Sequence, residues 1–436
     1  MRNRTTFALG FLAMIVVGAV LLACPFARAE GATGGVGAAI FTACSAVCVT
    51  GLTVVDIARE YSTAGQVVIM VLVELGCLGL MTCGTFFLVT IGRRLSLASE
   101  FTLMNAYGVV KIQGLRGLIL WVVGSMLVIE AVFAVALNFH FHNWYESVFY
   151  SIMGFCNAGF GLKADSLATF PRNWVVVLMG VETILGGIGF LVIYNLCTFV
   201  FLRRPSGARG RLSLHTRVVL RFTFYLLALT FAAFLAVEWD RTLVGMDLGE
   251  KAVVAFYQAV TPRTCGFCAI PTEDLHPLTR LVYECLMFIG GAPGSAAAGM
   301  KVTTLAVILY TATAMCRGET ETVISCRLIP TEIVRESLVI LMAIVMFAVV
   351  VTGALFVTES GGGIAPDALF FEAVSAVTTT GLAVGDTTAS LSTAGRVVIM
   401  FAMFIGRLGA LTVVLMIGDR ESKKHVRYPV EELVVG

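Results

Sequence analysis

Apolar positions along the chain fall in long blocks rather than in the one-sided stripe of a soluble helix. Four blocks, 5–27, 118–138, 218–237 and 337–357, are long enough to cross about 30 Å of hydrocarbon as helix. Four more, 63–92, 174–202, 278–316 and 394–418, are as long or longer. Between the members of each pair lies a shorter, half-apolar stretch, such as 36–48, that ends in a glycine turn and is too short to span. The pattern therefore predicts an all-α membrane protein with eight spanning helices and four re-entrant helices.

Internal similarity organises these blocks. Residues 41–82 match 371–412 at one constant offset without gaps, pairing Ser45 with Ser375, Thr50-Gly51-Leu52 with Thr380-Gly381-Leu382, and Asp56 with Asp386. The same alignment sets Ser62-Thr63-Ala64-Gly65 on Ser392-Thr393-Ala394-Gly395. Two fainter copies lie between. In all four a Phe precedes the turn glycine by ten positions: Phe41/Gly51, Phe149/Gly159, Phe256/Gly266 and Phe371/Gly381. A glycine pair recurs within each second block: Gly76/Gly79, Gly186/Gly189, Gly290/Gly291 and Gly406/Gly409. The chain divides accordingly into parallel pseudo-repeats at 1–92, 93–202, 203–316 and 317–418, with a tail at 419–436.

Composition changes the picture in one respect. With 58% apolar and 13% charged residues in 436, against about 25% charged in soluble domains, a water-soluble fold is excluded. The net charge of +2 is less telling than its distribution. If the short stretches dip in from outside, Lys and Arg exceed Asp and Glu in the inner loops, and the loop 203–221 has six arginines and no acid. The outer loops show the reverse. The positive-inside bias then puts both termini in the cytoplasm, with the protein in the cell inner membrane and its basic loops against anionic lipid.

Several alternatives fall away. The N-terminal block, with Arg2, Arg4 and Ala27-Arg28-Ala29, imitates a signal peptide, but the repeat needs it as a first spanning helix. Twelve cysteines show no paired metal spacing and read as small apolar residues; Cys265 and Cys268 form a lone CxxC. No HExxH, GxSxG or nucleotide-binding glycine motif occurs, so neither an enzyme nor an organic cofactor is expected, and nothing points to nucleic acid. A carrier built from inverted repeats would need oppositely oriented halves; here all the loops enter from one side.

Non-helical backbone at membrane depth survives only where protein or a water-filled path surrounds it. Four loops around one axis would aim carbonyl oxygens at a common line, which is how a dehydrating cation filter is made. Glycine at each turn permits the backbone angles this requires, helix C-terminal ends favour a cation, and the Thr50, Thr264 and Thr380 hydroxyls add neutral oxygens. The turns themselves hold no carboxylate, which favours a weakly hydrated monovalent ion.

The turns Val49-Thr50-Gly51-Leu52, Asn157-Ala158-Gly159-Phe160, Arg263-Thr264-Cys265-Gly266-Phe267 and Thr379-Thr380-Gly381-Leu382 resemble the filters of the Trk/Ktr/HKT cation transporter superfamily, with Thr261-Pro262-Arg263-Thr264 especially specific. The resemblance covers nearly the whole chain. It is nearest to the Ktr-type membrane subunit, because one helix precedes the first loop. It implies K⁺ uptake through Val49, Thr50, Gly51, Asn157, Ala158, Gly159, Thr264, Cys265, Gly266, Thr379, Thr380 and Gly381, with K⁺, and Na⁺ as an alternative or coupling ion, bound there. In plant relatives Ser at the first filter glycine favours Na⁺; Gly51 implies K⁺. It further implies a homodimer and a separate cytoplasmic nucleotide-binding ring, for which the inner loops and the tail are candidate docking surfaces.

Two features suit a gate. The block 278–316 is interrupted at about 289–301 by Gly290, Gly291, Pro293, Gly294, Ser295 and Gly299, and ends in Lys301 at hydrocarbon depth. Arg407 lies mid-block in the position of Cys77, Gly187 and Gly291 of the other repeats. By resemblance the interruption is a gating loop and Arg407 a pore arginine that touches its carbonyls around Gly294–Gly299. An ion pair of Arg407 with Glu74, Glu130, Glu182 or Glu284 is the competing reading.

Overall fold

The computed structural model describes residues 2–79, 115–163, 167, 170, 173–201 and 212–409. The first repeat segment supplies α1 (Arg2–Ala23), α2 (Gly35–Val47) and α3 (Thr63–Leu78). The second supplies α4 (Leu115–Phe141), α5 (Trp144–Cys156), α6 (Trp174–Ile188) and α7 (Phe190–Phe201). The third holds α8 (Leu214–Glu238), α9 (Leu248–Val260), α10 (Pro277–Met287) and α11 (Val302–Cys316). The fourth holds α12 (Thr331–Thr358), α13 (Pro366–Thr378) and α14 (Thr393–Leu408). Val323–Ile324 and Arg327–Leu328 pair as a small antiparallel hairpin between α11 and α12.

Two populations of helix follow from the hydrophobic pattern. The short ones, α2, α5, α9 and α13, are each 13 residues, about 20 Å at 1.5 Å per residue. They sit in the core: Phe41, Phe149 and Phe371, the repeated phenylalanines, are fully buried. In the third segment Tyr257 takes that place and Phe256 is turned to cover Gly180 on α6. The long helices present their apolar side chains outward, with Val132 60%, Leu229 67% and Val350 62% exposed, as lipid-facing surfaces do. Among the described residues α4 from Ile119, α8 and α12 are long and apolar enough to cross a membrane, and α6 with α7 would add a fourth span.

The repeated Ser-Thr-Ala-Gly motif has a local cause. Ser62 and Ser392 are N-caps whose hydroxyls accept from the Gly65 and Gly395 amides at 3.2 and 3.1 Å. Each hydroxyl also donates to the end of the preceding long-helix region, to the Phe26 carbonyl (2.7 Å) or the Glu359 carboxylate (2.6 Å). A Cβ at Gly65 would collide with the Ala27 carbonyl, and one at Gly395 with Glu359. Glu238, at the end of α8, does for α10 what Glu359 does for α14, accepting from the His276 amide (2.8 Å) and the Thr279 hydroxyl (2.6 Å). Glu60 secures the entry to α2, accepting from the Thr33 and Gly34 amides and from Arg28. Burial pushes its carboxyl up, but Arg28 and these backbone donors outweigh that and hold it below its usual value.

The expectation of unbroken second spans is corrected. The helices starting at 63, 174 and 393 end at Gly79, Gly189 and Gly409, whose φ of 76°, 89° and 87° an L-residue rarely adopts. After Gly189 the chain turns by 99° into α7. The remainders expected at 80–92 and 410–418 lie outside the described residues, as does the tail at 419–436. The two glycines of each of these pairs do different work: Gly76, Gly186 and Gly406 pack against the Val47, Phe155 and Val377 carbonyls near the ends of α2, α5 and α13, where any Cβ would collide.

Candidate functional site

Each short helix ends in a turn with one backbone pattern. Val49, Asn157, Thr264 and Thr379 have φ of 54°, 58°, 61° and 50°, and two residues later Gly51, Gly159, Gly266 and Gly381 have φ of 92°, 70°, 78° and 85°. A left-handed residue at this point lets orphan helix carbonyls be closed by a Schellman pair. The Thr50 amide donates to the Ser45 carbonyl (2.9 Å) and Val49 to Ala46 (3.0 Å). Ala158 donates to Met153 (2.9 Å) and Asn157 to Gly154 (3.3 Å). Thr380 donates to Ser375 (2.8 Å) and Thr379 to Ala376 (3.2 Å). The third turn departs from this: Cys265 donates to Thr261 at 3.2 Å, and the Thr261 hydroxyl to the Phe267 carbonyl at 2.7 Å. Left-handed β-branched residues at Val49, Thr264 and Thr379 are costly, so the surrounding packing holds the chain there.

The turns meet. A Cβ at Gly51 would strike the Ala158 carbonyl oxygen, and one at Gly381 the Thr50 oxygen. At Gly159 it would lie 3.1 Å from the Cys265 oxygen, and at Gly266 3.1 Å from the Thr380 oxygen and 3.4 Å from the Thr50 oxygen. The four carbonyls named, Thr50, Ala158, Cys265 and Thr380, occupy the equivalent middle position of each turn. All four glycines line one cavity of about 550 Å³, together with Asp56, Lys163, Cys268 and Asp386. Glycine is required here because a side chain would fill the space the oxygens surround.

The side chains divide. The Thr50, Thr264 and Thr379 hydroxyls are buried without a hydrogen-bond partner among the described residues. The Thr380 hydroxyl pairs with that of Thr378 at 2.8 Å, and the Thr378 hydroxyl donates to the Val374 carbonyl at 2.8 Å. Cys265 is buried against the Tyr257 and Thr183 hydroxyls (3.3 and 3.5 Å). The Asn157 amide, turned to donate, reaches the Gly154 and Thr183 carbonyls at 3.0 and 3.2 Å.

Residues 288–301 are non-helical and fold back on themselves, the Gly290 amide donating to the Met300 carbonyl at 2.9 Å. This segment occupies the break between α6 and α7. The Ala292 and Ala296 amides donate to the Gly187 and Gly186 carbonyls (2.9 and 3.2 Å), and the Gly294 carbonyl accepts from the Phe190 amide (3.0 Å). Backbone groups freed by the 99° bend are thereby paired, as burial demands. Gly291 accepts from the Val302 amide at 3.1 Å, Gly294 and Gly299 both have φ of 69°, and Ser295 donates to Ala292 at 2.7 Å. The Lys301 ammonium donates to the Ala297 carbonyl at 2.7 Å.

Arg407, the last turn of α14, joins this segment to another helix. One guanidinium nitrogen donates to the Ala296 carbonyl at 2.7 Å, and the other to the Gly76 carbonyl of α3 at 2.7 Å. No carboxylate lies within ion-pair distance of it among the described residues. Glu182 instead accepts from the Ser151 hydroxyl of α5 at 2.5 Å, and the Cys156 thiol donates to Glu130 at 3.9 Å. Arg263 stands in the third turn's motif, but its side-chain contact was not expected from the sequence. It is buried beneath the third turn and reaches the Gly290 carbonyl at 3.5 Å; its place next to Thr264 in an apolar stretch was the available signal.

Long apolar helices exposed outward, with buried short helices whose backbone turns converge, define a multi-helix membrane protein. The family model of the cation transport protein TrkH matches residues 14–428, and the chain belongs to that family of membrane transporters. It is 33% identical to the potassium/sodium uptake protein NtpJ of Enterococcus hirae over 443 residues, covering 98% of this chain and 96% of the relative. It is likewise 33% identical to the Ktr system potassium uptake protein B of Bacillus subtilis, covering 98% and 96%. The crystal structure of the potassium transporter TrkH from Vibrio parahaemolyticus has the same fold, with a TM-score of 0.71 at 18% identity over 93% of this chain and 84% of that one.

Proposed function

We propose that this chain takes up K⁺ through a single pore around which four helix–pore loop–helix repeats are arranged, with Val49 to Gly51, Asn157 to Gly159, Thr264 to Gly266 and Thr379 to Gly381 as its filter. The observation that carries this reading is the gathering of four equivalent carbonyls, Thr50, Ala158, Cys265 and Thr380, about one mouth edged by four glycines. Such oxygens replace the water of a monovalent cation without a fixed negative charge. The segment 289–301 and Arg407 form the gate beneath it, Arg407 holding the segment against α3. The relatives named for potassium uptake, matched over nearly their whole length, support the choice of ion.

A second reading, a Na⁺-permeable or Na⁺-coupled transporter of the same design, is favoured by one fact: one of these relatives is named for both ions. In either case the protein works as a homodimer in the cytoplasmic membrane with both termini inside. A cytoplasmic nucleotide-binding ring regulates it, as the Ktr system relatives suggest by belonging to a system. Purified protein in liposomes should take up Rb⁺ in competition with K⁺ but not Na⁺. Gly51→Ser or Gly381→Ser should erase that preference, because any Cβ enters the space between carbonyls. Uptake blocked equally by Na⁺ in the wild type sinks the K⁺ reading, and serine variants with intact preference sink the filter assignment.

A further inference from the structure

The cavity above the four glycines is unequally charged. Asp56 and Asp386 stand at matching positions, five residues past Gly51 and Gly381, and both line it. Past Gly159 the cavity receives Lys163 instead. Asp56 is partly committed: it accepts from the Ala58 amide at 2.9 Å and lies 3.4 Å from Arg59. Asp386 makes no side-chain capping bond, and Glu273 approaches the same rim at Gly385. The Lys163 ammonium is exposed, has no carboxylate within ion-pair distance among the described residues, and stands 4.6 Å from the centre of the Phe170 ring. That contact favours a place for the cation on the aromatic face.

We propose that Lys163 is a tethered competitor at the mouth: sharing one cavity with the four turn glycines, its ammonium raises the cation concentration needed for half-maximal transport, while Asp386 lowers it. This rests on the conduction reading above and adds a residue that sets apparent affinity. Charges beside a narrow mouth change the local cation concentration, and the effect must fade as salt screens it, from a Debye length of about 30 Å at 0.01 M to about 3 Å at 1 M. A unit charge roughly 10 Å from the ion path in water is worth about a twofold change.

The test uses the full chain in liposomes, Rb⁺ as the probe and an impermeant organic cation to set ionic strength. At low ionic strength Lys163→Gln should lower the half-saturating Rb⁺ concentration about two- to threefold. Lys163→Glu should lower it further, and Asp386→Asn should raise it. Lys163→Arg, which keeps the charge, should match the wild type, and every difference should collapse near 1 M salt. An unchanged Lys163→Gln in a conducting preparation overturns the inference. So does a shift that persists at high salt, or a Lys163→Arg that behaves like Lys163→Gln. A wild type without Rb⁺ uptake overturns the conduction reading itself, and this inference with it.

Discussion

At the residue scale the site is built from backbone that local preference opposes. Thr379 shows the conflict: it is β-branched, left-handed at φ 50°, and its buried hydroxyl has no partner among the described residues. A left-handed L-residue costs roughly 1–2 kcal/mol, and an unsatisfied buried hydroxyl about 1–3 kcal/mol. Thr379→Gly removes both and gives up about one methyl of packing, about 0.8 kcal/mol. The variant should therefore unfold at a temperature a few degrees higher in detergent, while discriminating K⁺ from Na⁺ less well because the turn is less constrained. A lower midpoint would show that no strain is held there. The glycines of these turns were legible in the sequence because four of them share a spacing to phenylalanine. The left-handed residues two positions earlier were not, since three of them, Val49, Thr264 and Thr379, are β-branched and disfavour that backbone, so only the tertiary surroundings select it.

At the element scale, what composition hides is where an apolar helix stops. The block 174–202 is apolar past Gly189, so hydropathy reads one span; the structure breaks it because residues 288–301 supply the hydrogen bonds that an unbroken helix would make for itself. The interruption of the third segment was legible, through Pro293 and its glycines. Its partner was not, because nothing local to Gly189 says that another segment will fill the gap. Arg407 tests whether this contact is a latch. Its two nitrogens hold Ala296 and Gly76 together, and a charge-assisted bond is worth about 1.5–3 kcal/mol. Arg407→Ala should raise Rb⁺ flux on the order of tenfold, the effect of about 1.4 kcal/mol on the opening equilibrium. Arg407→Lys keeps the charge but lacks the planar fork, so its flux should lie nearer Ala than Arg if bridging matters more than charge. Wild-type flux in Arg407→Ala would remove this residue from the gate.

At the scale of the whole molecule, the order of elements along the chain fixes which ends share a side. The hairpin at 323–328 precedes α12 and the short helix α13 follows it, so the 28 residues of α12 separate the two by about 42 Å, more than the hydrocarbon thickness. Cys326, exposed in the hairpin turn, and Cys268, which lines the cavity above the four glycines, should therefore face opposite compartments. With the proposed topology, in which the arginine-rich loop at 203–221 is inside, the hairpin side is the cytoplasmic one. In variants that keep one of these two cysteines, a membrane-impermeant maleimide added outside should label Cys268 alone, and inverted vesicles should reverse the result. Labelling at Cys268 should also stop Rb⁺ flux, because an adduct of a few hundred Å³ fills much of a cavity of about 550 Å³. Labelling at Cys326 should leave the pore open. Labelling of both from one face would contradict the arrangement, and a fully labelled Cys268 that still conducts would place the ion path elsewhere.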